Sequence, residues 1–303
     1  MFLLALLKRR RKDVRMIRQY RAINNKPKRL GGFFSYLGGD SRWADRIVDM
    51  LPSGETFVEV FGGGGSVTIE ALRRGKYHRY ILNDIDPLVY HAYKQVINGT
   101  PTEWNRIIEE VNHIKKRIMF RNGKDWALRL LDKWNKECYE NDVCDNALKA
   151  LMLGFWMRGK PILQRTMSLL NNKRWINRWL NIKKLFQVHH ARVYRKDAFR
   201  LIREFDSPST VFYLDPPHVD EKNSGIYTFS FSVDDARRLG ELLTRIKGRF
   251  VLKINPEDWV KVYSKVLRPI RDKLRVKRVK YVVNFARTGR GKVKREMVFV
   301  IKE

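Results

Sequence analysis

The stretch Val211-Phe212-Tyr213-Leu214-Asp215-Pro216-Pro217-His218 holds the residue types best suited to chemistry in this chain. Its apolar half reads as a buried strand. Pro216 and Pro217 end it, because each proline locks φ and removes a backbone donor. The Asp215 carboxylate and the Pro216 carbonyl are then expected side by side at the carboxyl edge of a sheet. Such an acceptor pair can take both hydrogens of an exocyclic amine. The flat ring of His218 can stack on the base that bears the amine. That set suits methyl transfer to an amino nitrogen of a nucleobase. Asp-Pro is also common in ordinary strand-to-loop turns, so the surrounding elements have to decide.

Two further segments supply a cradle. Thr56-Phe57-Val58-Glu59-Val60-Phe61 reads as a strand, Gly62-Gly63-Gly64-Gly65 follows at once, and residues 66–72 read as a helix. Strand, glycine turn and helix N-terminus form a nucleotide-type site at the edge of an α/β sheet, because glycine lets a ligand approach the backbone. The G-x-G-x-x-G spacing is not met, and no Gly-Lys-Ser/Thr follows, which disfavours a phosphate-binding loop. A second strand, Tyr80-Ile81-Leu82-Asn83, runs into Asp84-Ile85-Asp86. An acid at that distance from the glycines commonly holds ribose hydroxyls. Asp84 also suits a helix N-cap before Pro87, and both roles can hold together.

In this order the segments resemble the DNA adenine-N6 methyltransferases of the Dam-like group. The resemblance covers roughly residues 31–100 and 185–303. It rests on Val58-Glu59-Val60-Phe61-Gly62-Gly63-Gly64-Gly65, on Asp84-Ile85-Asp86, on Asp197-Ala198-Phe199 and on Asp215-Pro216-Pro217-His218. The closing Tyr281-Val282-Val283-Asn284-Phe285, a basic glycine-rich turn and residues 296–301 look like that family's final hairpin. Several positions depart from its pattern. The aromatic-x-Gly-Gly-Lys motif is Tyr36-Leu37-Gly38-Gly39-Asp40 here, so an acid replaces the lysine that would pair with the cofactor carboxylate, with Arg42 as a substitute cation. His218 replaces a Tyr or Phe, and Ala198 replaces a Phe that flanks the cofactor adenine. The family's Asn-Arg-x-x-Phe-Asn-Gly stretch is absent, and only Phe155-Trp156-Met157-Arg158-Gly159-Lys160 stands near its place.

The resemblance implies a class I methyltransferase fold, a Rossmann-like mixed α/β sheet, with S-adenosylmethionine as cofactor and no metal. It implies a catalytic set of Asp215, Pro216, Pro217 and His218. It also implies a cofactor site of Tyr36, Glu59, Phe61, Gly63, Gly65, Asp84, Ile85, Asp197 and Asp215. Asp84 would hold the ribose, Ile85 would pack on the adenine, and Asp197 would accept from its amino group. Glu59 would reach the methionine ammonium, unless it is a solvated strand end. A target adenine would have to leave the base stack, at a cost of a few kcal/mol. His218 would then stack on it, with Tyr227 or Phe229 as helpers, although those two equally suit ordinary loop packing.

Composition points to the same partner. The 303 residues suffice for one large domain or two smaller ones. A formal net charge of +31 and a pI near 10.3 favour a polyanion. Aromatic residues interleaved with basic ones favour nucleic acid over an acidic membrane surface, and a high charged fraction also fits a thermophile; the resemblance implies duplex DNA. The phosphate-binding candidates are Arg158, Lys160, Arg165, Lys173 and Arg174 in one cluster, and Arg287, Arg290, Lys292, Lys294 and Arg295 in another. Cys138 and Cys144 lack the histidine neighbours of a zinc site; the pair could form a disulfide, but reduced thiols are the expectation. The apolar run Met1–Leu7 is too short to span a bilayer, and its basic residues follow it, unlike a signal peptide. A monomer in the cytoplasm, associated with DNA, is the expectation, with a virus or a thermophile as candidate source.

Three regions follow from these patterns. Residues 1–30 read as a basic extension, residues 31–100 and 191–303 as the cofactor-binding catalytic part, and residues 101–190 as a helical insertion for target recognition. The insertion is strand-poor and holds Trp104, Trp126, Trp134, Trp156, Trp175 and Trp179. Helices are expected over 41–51, 233–247 and 257–268, and strands over 193–194, 211–214 and 250–254. The competing readings are a DNA-binding module of the same fold with weak or no catalysis, and a methyltransferase acting on RNA or on cytosine N4. A nucleotide-dependent dehydrogenase fits poorly, because the glycine spacing is wrong and no hydride-transfer partner is evident.

Overall fold

A computed structural model describes residues 30–36, 39–120, 123–158, 169–219, 229, 231–284 and 292–303. Seven strands form one sheet in the order β3-β2-β1-β4-β5-β7-β6. They are β1 (Thr56–Glu59), β2 (Arg79–Asn83), β3 (Arg192–Tyr194), β4 (Thr210–Leu214), β5 (Arg249–Ile254), β6 (Leu274–Asn284) and β7 (Lys292–Lys302). The first five in sequence are mutually parallel, and β7 enters antiparallel between β5 and β6. The order reverses at β1, with β2 on one side and β4 on the other. In open α/β sheets such a crevice at the carboxyl ends of the strands is where ligands bind.

Period-two alternation divides the core into two layers. Phe57, Tyr80, Leu82, Val211, Tyr213 and Val251 point to one face. Val58, Ile81, Phe212, Leu214, Phe250 and Leu252 point to the other. The second face is covered by α8 (Ala198–Phe205) and α9 (Val233–Arg245). Asp197 caps α8 by accepting from Arg200 N at 3.0 Å. Ser232 and Asp235 form a reciprocal capping box on α9. After β5, residues 256–266 are helical with a π-type centre, and a 3-10 turn, Arg268–Lys273, leads into β6.

The first face carries α1 (Ala44–Met50), α2 (Ser66–Arg74) and α3 (Pro87–Asn98), and then the helices α4 (Pro101–Phe120), α5 (Lys124–Glu140), α6 (Ala147–Arg158) and α7 (Asn172–Val188). Helix α6 is apolar nearly all round because α3, α4 and α5 surround it. One continuous apolar core runs from Phe57 and Leu82 on the sheet to Trp104, Trp134, Leu153 and Trp179 in these helices. Helix α7 also reaches the glycine turn. Trp179 Nε1 donates to the Phe33 carbonyl at 2.7 Å, and Phe33 N donates to Gly64 O at 2.9 Å.

The expected helices and strands occur within a few residues of their expected bounds. Two local expectations are corrected. The N-cap before Pro87 is Asp86, whose Oδ1 accepts from Leu88 N at 2.9 Å, and not Asp84. Cys138 and Cys144 are paired as a disulfide, where two thiols were expected. The turn after α5 brings their Cα atoms to 4.9 Å, within bridging reach. Among the described residues no helix is long and apolar enough to cross a membrane, and no cluster of His, Cys, Asp and Glu could hold a metal ion.

Candidate active site

The alternation that builds the core also sets the site. Glu59 stands two residues beyond Phe57, Asp84 two beyond Leu82, Asp215 two beyond Tyr213 and Lys253 two beyond Val251. Each therefore continues the first face at the carboxyl end of its strand. Tyr213 is in register with Val251 and Leu214 with Leu252, so Asp215 and Lys253 follow as neighbours across β4 and β5. A cleft with a cavity volume of about 550 Å³ opens here. It brings together Tyr36, Asp40, Glu59, Phe61, Gly63, Asp84, Ile85, Asp197, Asp215, Pro216, Pro217, His218 and Lys253.

The glycine turn shapes one end. Gly63 has φ +49° and Gly65 φ +67°. A Cβ on Gly63 would meet the Tyr36 ring at 2.8 Å, so only glycine lets that ring lie against the backbone. Gly63 N donates to Asp84 Oδ2 at 2.7 Å, and Asp86 N to Asp84 Oδ1 at 3.0 Å. Burial dominates these hydrogen bonds and lifts the Asp84 carboxyl to about 7. Asn83 fixes the neighbouring strand ends, donating to Val60 O and Lys196 O and accepting from Lys196 N. Ile85 is 41% exposed and free to cover a flat ligand. Phe61 meets Phe231 edge to face at 5.8 Å.

Glu59 is buried at 3% exposure, so a solvated strand end is excluded. Its Oε2 accepts from Thr68 N at 2.8 Å and from the Thr68 hydroxyl. Burial first, with Asp40 and Asp215 adding repulsion, raises its carboxyl to about 8.

At the other end Lys253 is shared by two carboxylates. Its Nζ donates to Asp40 Oδ1 at 2.5 Å and to Asp215 Oδ2 at 2.8 Å, while Tyr213 OH donates to Asp40 Oδ2 at 2.5 Å. Burial raises Asp215 to about 7, Lys253 opposes that rise and Asp40 adds to it. Burial alone would lower Lys253, but Asp215 and Asp40 outweigh it and hold the ammonium protonated. A cation that meets Asp40 is thus Lys253, supplied by β5. The sequence carried a signal for it, a lone lysine in the otherwise apolar strand Phe250-Val251-Leu252-Lys253-Ile254.

His218 is partly exposed, with a contact of 3.2 Å between its Nδ1 and Asn255 Nδ2. Asn255 Oδ1 is committed to Asp258 N at 2.6 Å, so its amide nitrogen faces the ring as donor. Nδ1 also stands 3.8 Å from Asp258 Oδ2. Sequence reading missed Asn255, Lys253, Tyr281 and Glu296 as cleft residues. Phe229 reaches the cleft rim and lies 6.3 Å from the Tyr139 ring. Lys173 and Arg174 are exposed at the start of α7. Lys160, Arg165, Tyr227, Arg287 and Arg290 lie outside the described residues, as do the side chains of Arg158, Lys292, Lys294 and Arg295.

Comparisons with known proteins place the chain in a family. Residues 36–261 match the family described as D12 class N6 adenine-specific DNA methyltransferase. The Type II methyltransferase M.MjaIII of Methanocaldococcus jannaschii is 22% identical over 243 residues, covering 72% of this chain and 80% of the relative. The Type II methyltransferase M2.HphI of Haemophilus parahaemolyticus is 24% identical over 299 residues, covering 79% and 85%. The solved structure of precorrin 8w decarboxylase from Methanobacterium thermoautotrophicum superposes on 90% of this chain and 98% of its own, with a TM-score of 0.39 and 13% identity. The family match spans most of the chain and both ends of the cleft. The chain belongs to the D12 class of N6 adenine-specific DNA methyltransferases.

Proposed function

We propose that this methyltransferase works on adenine extruded from duplex DNA, with S-adenosylmethionine held between the glycine turn and Asp215. The observation that carries the reading is the 550 Å³ cleft that Gly63, Asp84, Asp197, Asp215 and Pro216 line together. The residues fit the cofactor. Gly63 lets the Tyr36 ring pack against the glycine turn, and both line the cleft. Asp84 suits ribose hydroxyls, Ile85 and Ala198 suit the adenine faces, and Asp197 suits its amino group. Glu59 lies toward the methionine end, where a cationic ammonium would draw its proton off.

When bound, the cofactor supplies a methyl group on a sulfonium, and the amine lone pair forms the N–C bond as the C–S bond breaks and its electrons stay on sulfur. The protein acts on the amine. Asp215 and the Pro216 carbonyl accept its two hydrogens and aim the lone pair, which is otherwise delocalised into the ring. Positive charge developing on nitrogen is stabilised by the Asp215 carboxylate. Asp215 then takes the proton released and passes it to solvent. Helices over residues 101–190 and the basic residues at the start of α7 supply target recognition and phosphate contacts in this reading. A DNA-binding module without catalysis is disfavoured, because Asp215 and Pro216 line a formed cleft in which they can serve as acceptors.

The test is transfer of labelled methyl from S-adenosylmethionine to unmethylated duplex DNA, with Asp215→Ala in parallel and the product digested to nucleosides. Label in N6-methyladenine that vanishes in the variant is expected. Label in N4-methylcytosine, or activity that survives Asp215→Ala, would overturn the assignment of the site.

A further inference from the structure

The motif that would carry a lysine in this family ends in Asp40, and the site's ammonium arrives instead from β5. The geometry points to Lys253 as a positioning residue of methyl transfer, held by Asp40 so that it favours the ionised form of Asp215 and leaves one carboxylate oxygen for the target amine. The inference rests on the reading of Asp215 as that acceptor.

Three contacts form a chain, Tyr213 OH to Asp40 Oδ2, Lys253 Nζ to Asp40 Oδ1, and Lys253 Nζ to Asp215 Oδ2. The Lys253 side chain is 10% exposed and that of Asp40 6%, so water screens the pair poorly. Because Lys253 occupies Oδ2, carboxylate rotation is fixed and Oδ1 is the oxygen available to an amine. The ammonium also offsets repulsion. Asp215 faces Asp40 from the N-terminal segment, Glu59 from β1, Tyr213 from β4, Lys253 from β5 and His218 beyond the prolines. Lys253 is the one permanent cation among these groups. Without it, two or three acids would share a buried pocket, and Asp215 would keep its proton and lose acceptor capacity. Asp40 acts in two opposed ways, anchoring Lys253 and pushing the Asp215 carboxyl up.

That opposition gives a signed test. The pH dependence of kcat is measured for the wild type, Lys253→Met and Asp40→Asn, with circular dichroism as a check on folding and Asp215→Ala as the reference. The acidic limb of the wild type is expected near pH 7. Lys253→Met should move it up by about 1–3 units, the usual influence of an adjacent opposite charge, and lower kcat at neutral pH by about 10-fold or more. Asp40→Asn should move it down, because one carboxylate is lost while Lys253 still reaches Asp215. Should Lys253→Met fail to fold, the downward shift in Asp40→Asn still decides. Limbs that stay put, or move in the same direction in both folded variants, overturn the inference. If Asp215→Ala itself retains activity, the reading of the site fails before this one is reached.

Discussion

Lys253 and Asp215 come from adjacent parallel strands and meet at 2.8 Å in the row that follows the Leu214–Leu252 pair. The contact is a property of register. A slip of one residue between β4 and β5 would send Lys253 to the opposite face and leave Asp40 and Asp215 without a shared cation.

Gly63 is expected to be intolerant of a side chain. Its φ of +49° and the 2.8 Å approach of the Tyr36 ring both oppose a Cβ. Gly63→Ala should cost about 1–3 kcal/mol of stability and weaken cofactor binding about 10-fold or more, because Gly63 N also orients Asp84. Denaturant titration and calorimetry with S-adenosylmethionine measure the two effects. A variant that is equally stable and binds normally would show that the turn has room to spare.

Glu59 makes folding stability depend on pH. Burial raises its carboxyl from 4.5 to about 8, so the folded state binds the proton more tightly than the unfolded state. That contribution is fully present below about pH 4.5 and is lost as pH rises through about 8. Glu59→Gln should therefore flatten the fall in apoprotein stability across this window, by on the order of a few kcal/mol at the alkaline end. Parallel stability–pH curves for the two proteins would refute the assignment.

His218 should matter through its ring. Stacking on a base is worth about 1–3 kcal/mol, so His218→Ala should raise KM for DNA by about 10-fold with cofactor affinity unchanged. His218→Tyr should restore binding or improve it, since the larger ring covers more of the base. Equal KM values for all three proteins would place the ring away from the target.

Binding to DNA should weaken linearly in a log–log plot against salt, by roughly 0.9 per phosphate neutralised. Lys173 and Arg174, exposed at the start of α7, are expected to supply part of that slope. The paired change to alanine should reduce it by about 1–2. An unchanged slope would place the phosphate contacts elsewhere.

Much of this was legible in one dimension. Asp-Pro-Pro at the end of an apolar run is a local signal, because proline itself ends the strand and fixes the backbone beside Asp215. The glycine run, the acids after β2 and the alternation of apolar residues are likewise set by neighbours in sequence, so the sheet and most residues that line its cleft were readable. Charge excess alone indicated a polyanionic partner. What sequence could not decide was pairing between distant residues. Asp40 stands where a lysine was expected, with Arg42 two residues away as a substitute cation. In the fold Asp40 pairs with Lys253, 213 positions along the chain, because β5 lies beside β4 in the sheet and strand parity turns Lys253 and Asp215 to one face. The cap role falls to Asp86, the residue directly before Pro87, while the Asp84 carboxylate accepts from Gly63 N, brought in from another strand end, and from Asp86 N. Residue types fixed by backbone chemistry are written locally. Charge partners are settled by which strands become neighbours, and that is decided only when the chain folds.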